Sequence, residues 1–311
     1  MQHFHNILFV SNGISNETEA LKQSLRLAHN NKSKLKAFIV IPELPAKMAD
    51  YMKGYESFHI SQLKESIQVI LNQMNVDAEE ISLLIEVASD NKPADSIIRQ
   101  VIRNSHDLII KETEVKDDVA GFKAIDMELL RKSPCPVWLS RPSKPKQNTR
   151  IAVAIDPEDS ASESHDLSLR LLALSSSLAD TFNAELHLIS CWDFPLEDSL
   201  QYAPWIDIER DEMQRNVTEA RTLHFTALER LLRQSGVAEK MHLHHERGRP
   251  DQVIPQMIEN KKIDILVMGT LARTGIPGFI IGNTAENILQ KINCSLIALK
   301  PNGFISPVKA Y

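Results

Sequence analysis

An internal repeat constrains this sequence more than any other feature, because the chain carries two copies of one pattern. Residues 6–12, Asn-Ile-Leu-Phe-Val-Ser-Asn, correspond to residues 150–156, Arg-Ile-Ala-Val-Ala-Ile-Asp. Residues 93–110 align without gaps with residues 250–267, and both segments combine a helix pattern, an aspartate and a short apolar run. The repeat interval of about 144 to 159 residues is far longer than that of a solenoid. The sequence therefore predicts two tandem domains of similar fold.

The boundary between the two copies is marked by a change in composition. The stretch 141–148, Arg-Pro-Ser-Lys-Pro-Lys-Gln-Asn, is polar, basic and rich in proline, as is typical of a linker. We divide the chain of 311 residues into a first domain over residues 1–141, a linker over residues 142–149 and a second domain over residues 150–311. Each domain is long enough to bury a hydrophobic core of its own.

Short apolar runs alternate with amphipathic helix patterns in each half, as in Leu167, Leu171, Leu174 and Leu178. Continuous apolar runs are typical of strands buried on both faces of a parallel sheet. Each half is therefore predicted to be an α/β fold, a doubly wound sandwich around a five-stranded parallel sheet. The predicted strands lie at residues 6–11, 35–42, 81–88, 107–111 and 136–140, and at residues 150–155, 185–191, 240–246, 263–268 and 295–299.

Composition excludes several classes of protein. The net charge is −6 and the pI about 6.0, which disfavours nucleic acid as a bulk electrostatic partner. No apolar run has the roughly 20 residues of a membrane helix, and the start shows no signal-peptide pattern. The 3 cysteines are sparse and form no motif, which indicates a reducing compartment; we expect a cytoplasmic protein. His242 and His244 share one strand face but lack a third ligand for a metal site.

The glycines indicate where a ligand would bind. Neither first strand is followed by G-x-G-x-x-G or a P-loop, which disfavours a dinucleotide-dependent dehydrogenase and a P-loop enzyme. Four of the 10 glycines instead lie within residues 269–282, after the fourth strand of the second half. A helix is predicted to begin at about Asn283, which would cap it, and its free amides would attract an anion beside Arg273. The alternative is a glycine-rich turn that only joins strand to helix.

This loop resembles the universal stress protein family, whose members carry G-x-x-G, nine residues and then glycine with a small hydroxyl or amide residue. Gly269 and the pair Gly282-Asn283 keep that spacing, and Ala272 replaces the second glycine. Asp156 stands where the family carries an aspartate at the end of its first strand. The resemblance covers essentially the whole chain and is strongest to the tandem E-type members. It implies the strand order 3-2-1-4-5 in each half.

The resemblance also implies that the second half binds an adenine nucleotide, ATP. Asp156 would meet the ribose or adenine, and Ile189 would flank the base. The methyl group of Ala272 stands where glycine permits close approach, so triphosphate binding would be weaker or altered in pose. The nucleoside and α-phosphate would be lined by Met268, Gly269 and Ala272, and the phosphates would be held by Gly282, Asn283 and Thr284.

The first half departs from the motif in its corresponding loop. Glu112 stands at the place of Gly269, and Asp126 stands at that of Asn283, where it is predicted to be a helix N-cap. We therefore expect the first half to be a structural pseudo-dimer partner that does not bind ATP. In the family the fifth strands pair, so strands near 137–140 and 296–299 would pair within the chain, and the whole chain could form a homodimer through its remaining surface.

Three functional hypotheses remain. The first is a stress-response regulator that binds nucleotide in its second half. The second is an interaction protein that binds an amphipathic metabolite or a partner protein through the aromatic loops after the second strands, near residues 41–58 and 191–206. The third, an adenylating enzyme, is disfavoured because its usual phosphate loop after the first strand is missing. No catalytic set is recognisable, so we expect no enzyme, although phosphate positioning alone would allow slow ATP hydrolysis.

Overall fold

The computed structural model shows two similar halves that together form one sheet covered by helices on both faces. It describes residues 4–13, 17–114, 120–142, 148–158, 162–195, 197, 208–237, 241–270 and 281–310. In each half, strands and helices alternate along the chain, as the repeat predicts.

The strands agree with the sequence prediction to within about two residues at each end. Those of the first half are β1 (Asn6–Ser11), β2 (Lys34–Ile41), β3 (Leu83–Ser89), β4 (Leu108–Glu112) and β5 (Val137–Ser140). Those of the second half are β6 (Arg150–Ala154), β7 (Glu185–Trp192), β8 (Met241–Arg247), β9 (Ile265–Gly269) and β10 (Ser295–Leu299).

Four α-helices are described in each half. Those of the first half are α1 (Thr18–Asn31), α2 (Met52–Met74), α3 (Pro93–Asn104) and α4 (Ala124–Lys132). Those of the second half are α5 (Ser162–Phe182), α6 (Arg210–Ser235), α7 (Pro250–Lys261) and α8 (Asn283–Lys291).

All ten strands form a single sheet in the order β3-β2-β1-β4-β5-β10-β9-β6-β7-β8. Within each half the strands are parallel and follow the order 3-2-1-4-5, so the predicted fold is confirmed. The halves meet where β5 and β10 pair antiparallel, with Leu139 opposite Leu296. The prediction that the fifth strands pair within one chain is therefore also confirmed.

The hydrophobic core has two parts, one on each face of the sheet, and both extend through both halves. Ile7 and Phe9 of β1 belong to one part, and Leu8 and Val10 belong to the other; all four are at most 1 % exposed. Neighbouring residues of a strand point to opposite faces. Burial on both faces therefore explains why the strands are continuous apolar runs rather than alternating ones.

A pair of cations joins the two halves near the fifth strands. Lys300, which follows β10, donates from Nζ to the carbonyl oxygens of Arg131 and Ser133 at 2.9 and 2.8 Å, where α4 ends. Arg141, which follows β5, donates to the carbonyl oxygen of Ile292, where α8 ends. Each half thus satisfies helix C-terminal carbonyls of the other with a basic side chain, the residue type that a helix C-terminus favours. Burial lowers the pKa of Lys300 to about 7.

The cysteines are free thiols, and burial raises the pKa of Cys135, Cys191 and Cys294 to about 12. A thiol with so high a pKa is a poor nucleophile at neutral pH. Among the helices that the structure describes, none has both the length and the apolar character that crossing a membrane requires.

Candidate functional site

The predicted site residues of the second half that the structure describes lie at or near the carboxyl edge of its sheet. Strand β6 lies between β9 and β7, with Val153 beside Val267 and Ala154 beside Ile189. Asp156 follows β6, and Gly269 is the last residue of β9. These neighbouring strand ends form the place where open α/β sheets bind ligands.

Of the residues predicted to contact the nucleotide, two lie in the hydrophobic core and one lies at the surface. Ile189 and Met268 are only 1 % and 5 % exposed and belong to the same part of the core. Their side chains therefore lie in the core beneath this edge and have almost no exposed surface. The carboxylate of Asp156 is exposed, and its Oδ1 accepts a hydrogen bond from the backbone N–H of Glu158 at 3.1 Å. It can meet a polar group at the mouth of the site.

Gly269 lies where the sheet packs closely against α5. A Cβ at this position would stand 2.9 Å from Cδ2 of Leu167, a distance that requires the leucine to move. Close packing therefore accounts for the glycine, and it keeps the end of β9 free of any side chain.

The N-terminus of α8 differs from its prediction in one respect. Gly282, not Asn283, is the N-cap residue, with φ −60° and ψ 143°, and among the described residues no side chain caps this helix. The helix begins at Asn283 as predicted, but the capping role of Asn283 is wrong, because Gly282 takes the N-cap position; Asn283 and Thr284 are exposed in the first turn. The N–H of Gly282 donates to the carbonyl oxygen of Thr270 at 3.0 Å, which holds this helix start beside the end of β9.

The first turn of α8 has the properties of an anion site. The first amides of a helix have no partner within the helix, and the helix dipole makes this end positive. Helix-start amides of this kind bind phosphate or carboxylate groups in many proteins, and no described side chain caps those of α8. Two other predicted contacts, Ala272 and Arg273, belong to residues 271–280 and lie outside the described residues, so their roles stay predictions.

The corresponding place in the first half is filled by the chain's own charged side chains. Asp126, predicted to be a helix N-cap, is instead the third residue of α4, where Lys123 is the N-cap. Its side chain is fully buried, and its Oδ1 lies 3.0 Å from Nζ of Lys111. The prediction is wrong because the helix begins earlier and carries Asp126 inward, to a buried cation that compensates its charge.

Glu112 accepts a hydrogen bond at a second helix N-terminus, that of α1. It is only 5 % exposed, and its Oε2 accepts a hydrogen bond from the backbone N–H of Ala20 at 3.0 Å, at the start of α1. Burial raises the pKa of Glu112 to about 7. The carboxyl group thus occupies a position that an anionic ligand would need.

Lys111 is the residue that sequence reasoning missed. It follows the apolar run Leu-Ile-Ile of β4 and precedes Glu112, the last residue of that strand, and only 2 % of it is exposed. Its ammonium group donates to the carbonyl oxygen of Glu112 at 2.9 Å and lies 3.6 Å from Glu114 Oε1. The sequence did contain a signal for this pair, because a lysine that follows an apolar run in a buried strand needs a buried partner.

The aromatic loop of the first half forms a surface. Residues Ala46–Tyr51 make a 3-10 helix that leads directly into α2. Met48, Tyr51 and Phe58 are 44 %, 68 % and 57 % exposed. In the second half most of the equivalent loop, residues 196 and 198–207, lies outside the described residues, so a groove formed by both loops stays a prediction.

The histidines of the second half pair with one another across β7, β8 and α6. His187 Nδ1 lies 3.0 Å from His244 Nε2, and His224 Nδ1 lies 2.9 Å from His245 Nε2. Burial, aided by the neighbouring histidines His244 and His242, lowers the pKa of His187 to about 4. In the part of the chain that the structure describes, no group of three or more His, Cys, Asp or Glu residues has a geometry that could hold a metal ion. These four histidines thus contact one another in two pairs through their ring nitrogens.

Comparisons with known proteins agree with this architecture. The family model described as the universal stress protein family matches residues 3–141 and 147–300. Universal stress protein E of Photorhabdus laumondii is 31% identical, with 100% of this chain and 99% of that protein covered. Universal stress protein E of Escherichia coli K12 is 28% identical, with 99% and 98% covered. A putative universal stress protein from Pseudomonas aeruginosa has the same fold, with a TM-score of 0.73 at 24% identity over 97% of this chain and 95% of that one.

Proposed function

Because both halves of the chain match the universal stress protein family, to which the chain therefore belongs, we propose that it is a stress-response regulator whose second half binds an adenine nucleotide, ATP. The observation that carries this proposal is the first turn of α8, which no described side chain caps and which is held beside the end of β9 at Gly269. That arrangement offers backbone donors to a phosphate group.

The described residues of the proposed site have roles that fit their positions. Asp156 meets the ribose or adenine at the mouth of the site, while Ile189 and Met268 form an apolar floor under the nucleoside. Gly269 and Ala272 line the nucleoside and the α-phosphate. The phosphates lie over the first turn of α8, where they are held by Gly282, Asn283 and Thr284, and Arg273 adds a positive charge.

The first half supports the second and does not bind ATP in this proposal. Its buried acids Glu112 and Asp126 oppose a phosphate, and β5 extends the second half's sheet through β10. No residue is assigned a catalytic role. ATP would act by favouring one conformation or assembly of the chain over another, which requires different affinities for the two states.

The test compares two substitutions of the same glycine. Protein purified without added nucleotide is examined by native mass spectrometry, and ATP is titrated calorimetrically into the wild type, Gly269→Glu and Gly269→Ala. We expect one nucleotide per chain and a loss of affinity of at least about 100-fold in Gly269→Glu, because a buried carboxylate repels phosphate. Gly269→Ala introduces the same contact with Leu167 without the charge, so it should lose distinctly less affinity. No heat with ATP in the wild type would refute the proposal.

A second pair of variants tests the helix N-terminus. Asn283→Asp adds a negative charge in the first turn of α8 and should weaken ATP binding about tenfold. Gln290→Glu adds the same charge near the other end of this helix and should leave the affinity within about twofold. Equal affinities in the two variants would show that phosphate does not bind at the helix start.

A further inference from the structure

The first half contains a cavity of about 570 Å³ at the carboxyl ends of β1, β2 and β4. We name it the first-half cavity. Its walls are mostly apolar and include Val10, Val40, Ile97 and Ile125. Its volume lies within the range of roughly 300 to 1,000 Å³ that is usual for small-molecule sites. The exposed aromatic side chains of the loop after β2 do not line it, so it differs from the predicted aromatic groove.

The charges around the cavity disfavour an anionic ligand. Among the described residues that line it, Asp90, Glu112 and Glu114 are acidic and Lys111 is basic. Lys111 is already paired, because its ammonium group lies 3.0 Å from Asp126. A phosphate or carboxylate entering the cavity would meet like charges at low dielectric.

The starts of two helices beside the cavity carry carboxyl groups of the chain itself. Glu112 accepts a hydrogen bond from the N–H of Ala20 in the first turn of α1, and Asp126 lies in the first turn of α4. An anionic ligand would have to displace Glu112 to reach the amide of Ala20, and at the start of α4 it would lie near the carboxyl group of Asp126. Both positions disfavour the class of ligand that the second half is proposed to bind.

One polar atom in the wall has no partner within the described part of the chain. Thr113 lines the cavity and is 7 % exposed, and its Oγ1 is buried without a hydrogen bond. A buried hydroxyl without a partner loses on the order of 1–3 kcal/mol. A ligand that donates a hydrogen bond would recover part of that loss.

We propose that the first-half cavity binds a small apolar molecule that carries an ammonium group. The apolar part would lie against Val40, Ile97 and Ile125. The ammonium group would lie toward Asp90 and Glu114 and donate to Thr113 Oγ1. Asp90 accepts a hydrogen bond from the N–H of Lys92 through Oδ1 at 2.8 Å, and its Oδ2 lies 3.5 Å from Arg99. Because 27 % of its side chain is exposed at the rim, it can also receive a cation as the ligand enters.

The test uses three probes with one apolar ring system and different charges: tryptamine, 3-methylindole and indole-3-acetate. Each is titrated into the full-length protein with calorimetric detection. We expect tryptamine to bind at least about tenfold more tightly than 3-methylindole, and indole-3-acetate more weakly still, since opposite charges attract strongly in a partly buried site. No saturable binding of tryptamine, or equal binding of indole-3-acetate, would overturn the proposal.

Variants of the cavity wall test whether the probes bind in the first-half cavity. Ile125→Trp fills the cavity and should abolish binding of both tryptamine and 3-methylindole. Met127→Trp lies on the same helix but outside the cavity wall and should bind both as the wild type does. Circular dichroism verifies that both variants are folded.

A second variant keeps the test informative even if the first does not fold. The double substitution Asp90→Asn/Glu114→Gln retains the shape of the cavity, so it should bind 3-methylindole within about twofold and tryptamine about tenfold more weakly. Unchanged tryptamine affinity would refute recognition of the ammonium group. The probes lack phosphate, and the titration is repeated in Gly269→Glu, where tryptamine binding should persist; the result therefore stands apart from the fate of the ATP site.

Discussion

At the carboxyl edge of the sheet, the first half carries Glu112 and Asp126 where the second carries Gly269 and Asn283. In the first half these acids are buried and satisfy helix starts or pair with Lys111. In the second half the glycine leaves the strand end bare, and no described side chain caps the helix that follows the loop. One scaffold thus holds a site filled by the chain's own carboxyl groups beside one with a bare strand end, which shows that site chemistry can diverge while the backbone is kept.

The largest expected effect comes from removing the buried cation of the first half. Lys111→Met should lower the free energy of unfolding by about 3–5 kcal/mol, because Asp126 would remain buried without its partner. Urea denaturation, followed by the fluorescence of the buried Trp138 of β5, measures the loss.

The second half supplies the matched control for this prediction. The double variant Lys111→Met/Asp126→Asn reproduces Met268 and Asn283, and it removes both charges together. It should recover most of the lost stability, since a buried ion pair replaced as a whole costs little. A double variant no more stable than Lys111→Met would show that the charges are not coupled.

An intermediate effect should appear in the pH dependence of stability. Burial raises the pKa of Glu112 from 4.5 to about 7, so the folded chain keeps a proton that the unfolded chain loses. Stability should therefore fall as pH rises from about 4.5 to 7. Glu112→Gln cannot ionise and should gain on the order of 1–3 kcal/mol relative to the wild type across that window.

The control for Glu112→Gln is Glu65→Gln, the same substitution on the exposed surface of α2. Its stability curve should run parallel to that of the wild type. If both variants gave the same curve against pH, the buried carboxyl group of the first half would not be the source of the trend.

The sequence was sufficient for the fold because continuous apolar strands report directly on burial. It also located Gly269 and the helix start of the second half, since strand ends and glycines are local signals. It was wrong about Asp126 and about Asn283 for one reason: each depends on the residue at which a helix begins, and helix boundaries are poorly determined by local pattern. The cavity and the Lys111–Asp126 pair arise from packing between distant segments, which no single stretch of sequence encodes.

The smallest effect concerns the two outer strand pairs of the sheet. In the first half Lys36 pairs with Glu86 at 2.6 Å, and at the corresponding place His187 lies 3.0 Å from His244. Burial lowers the pKa of His187 from 6.5 to about 4. As pH falls, the unfolded state therefore binds a proton at His187 before the folded state does, and stability is lost between pH 6.5 and about 4.

The variant His187→Lys/His244→Glu should reduce that loss by on the order of 1 kcal/mol between pH 7.5 and 5.0. The reciprocal variant Lys36→His/Glu86→His should make the first half lose stability on acidification as well. If urea denaturation at both pH values shows the same loss in all three proteins, the histidine pair does not set the acid sensitivity of the second half.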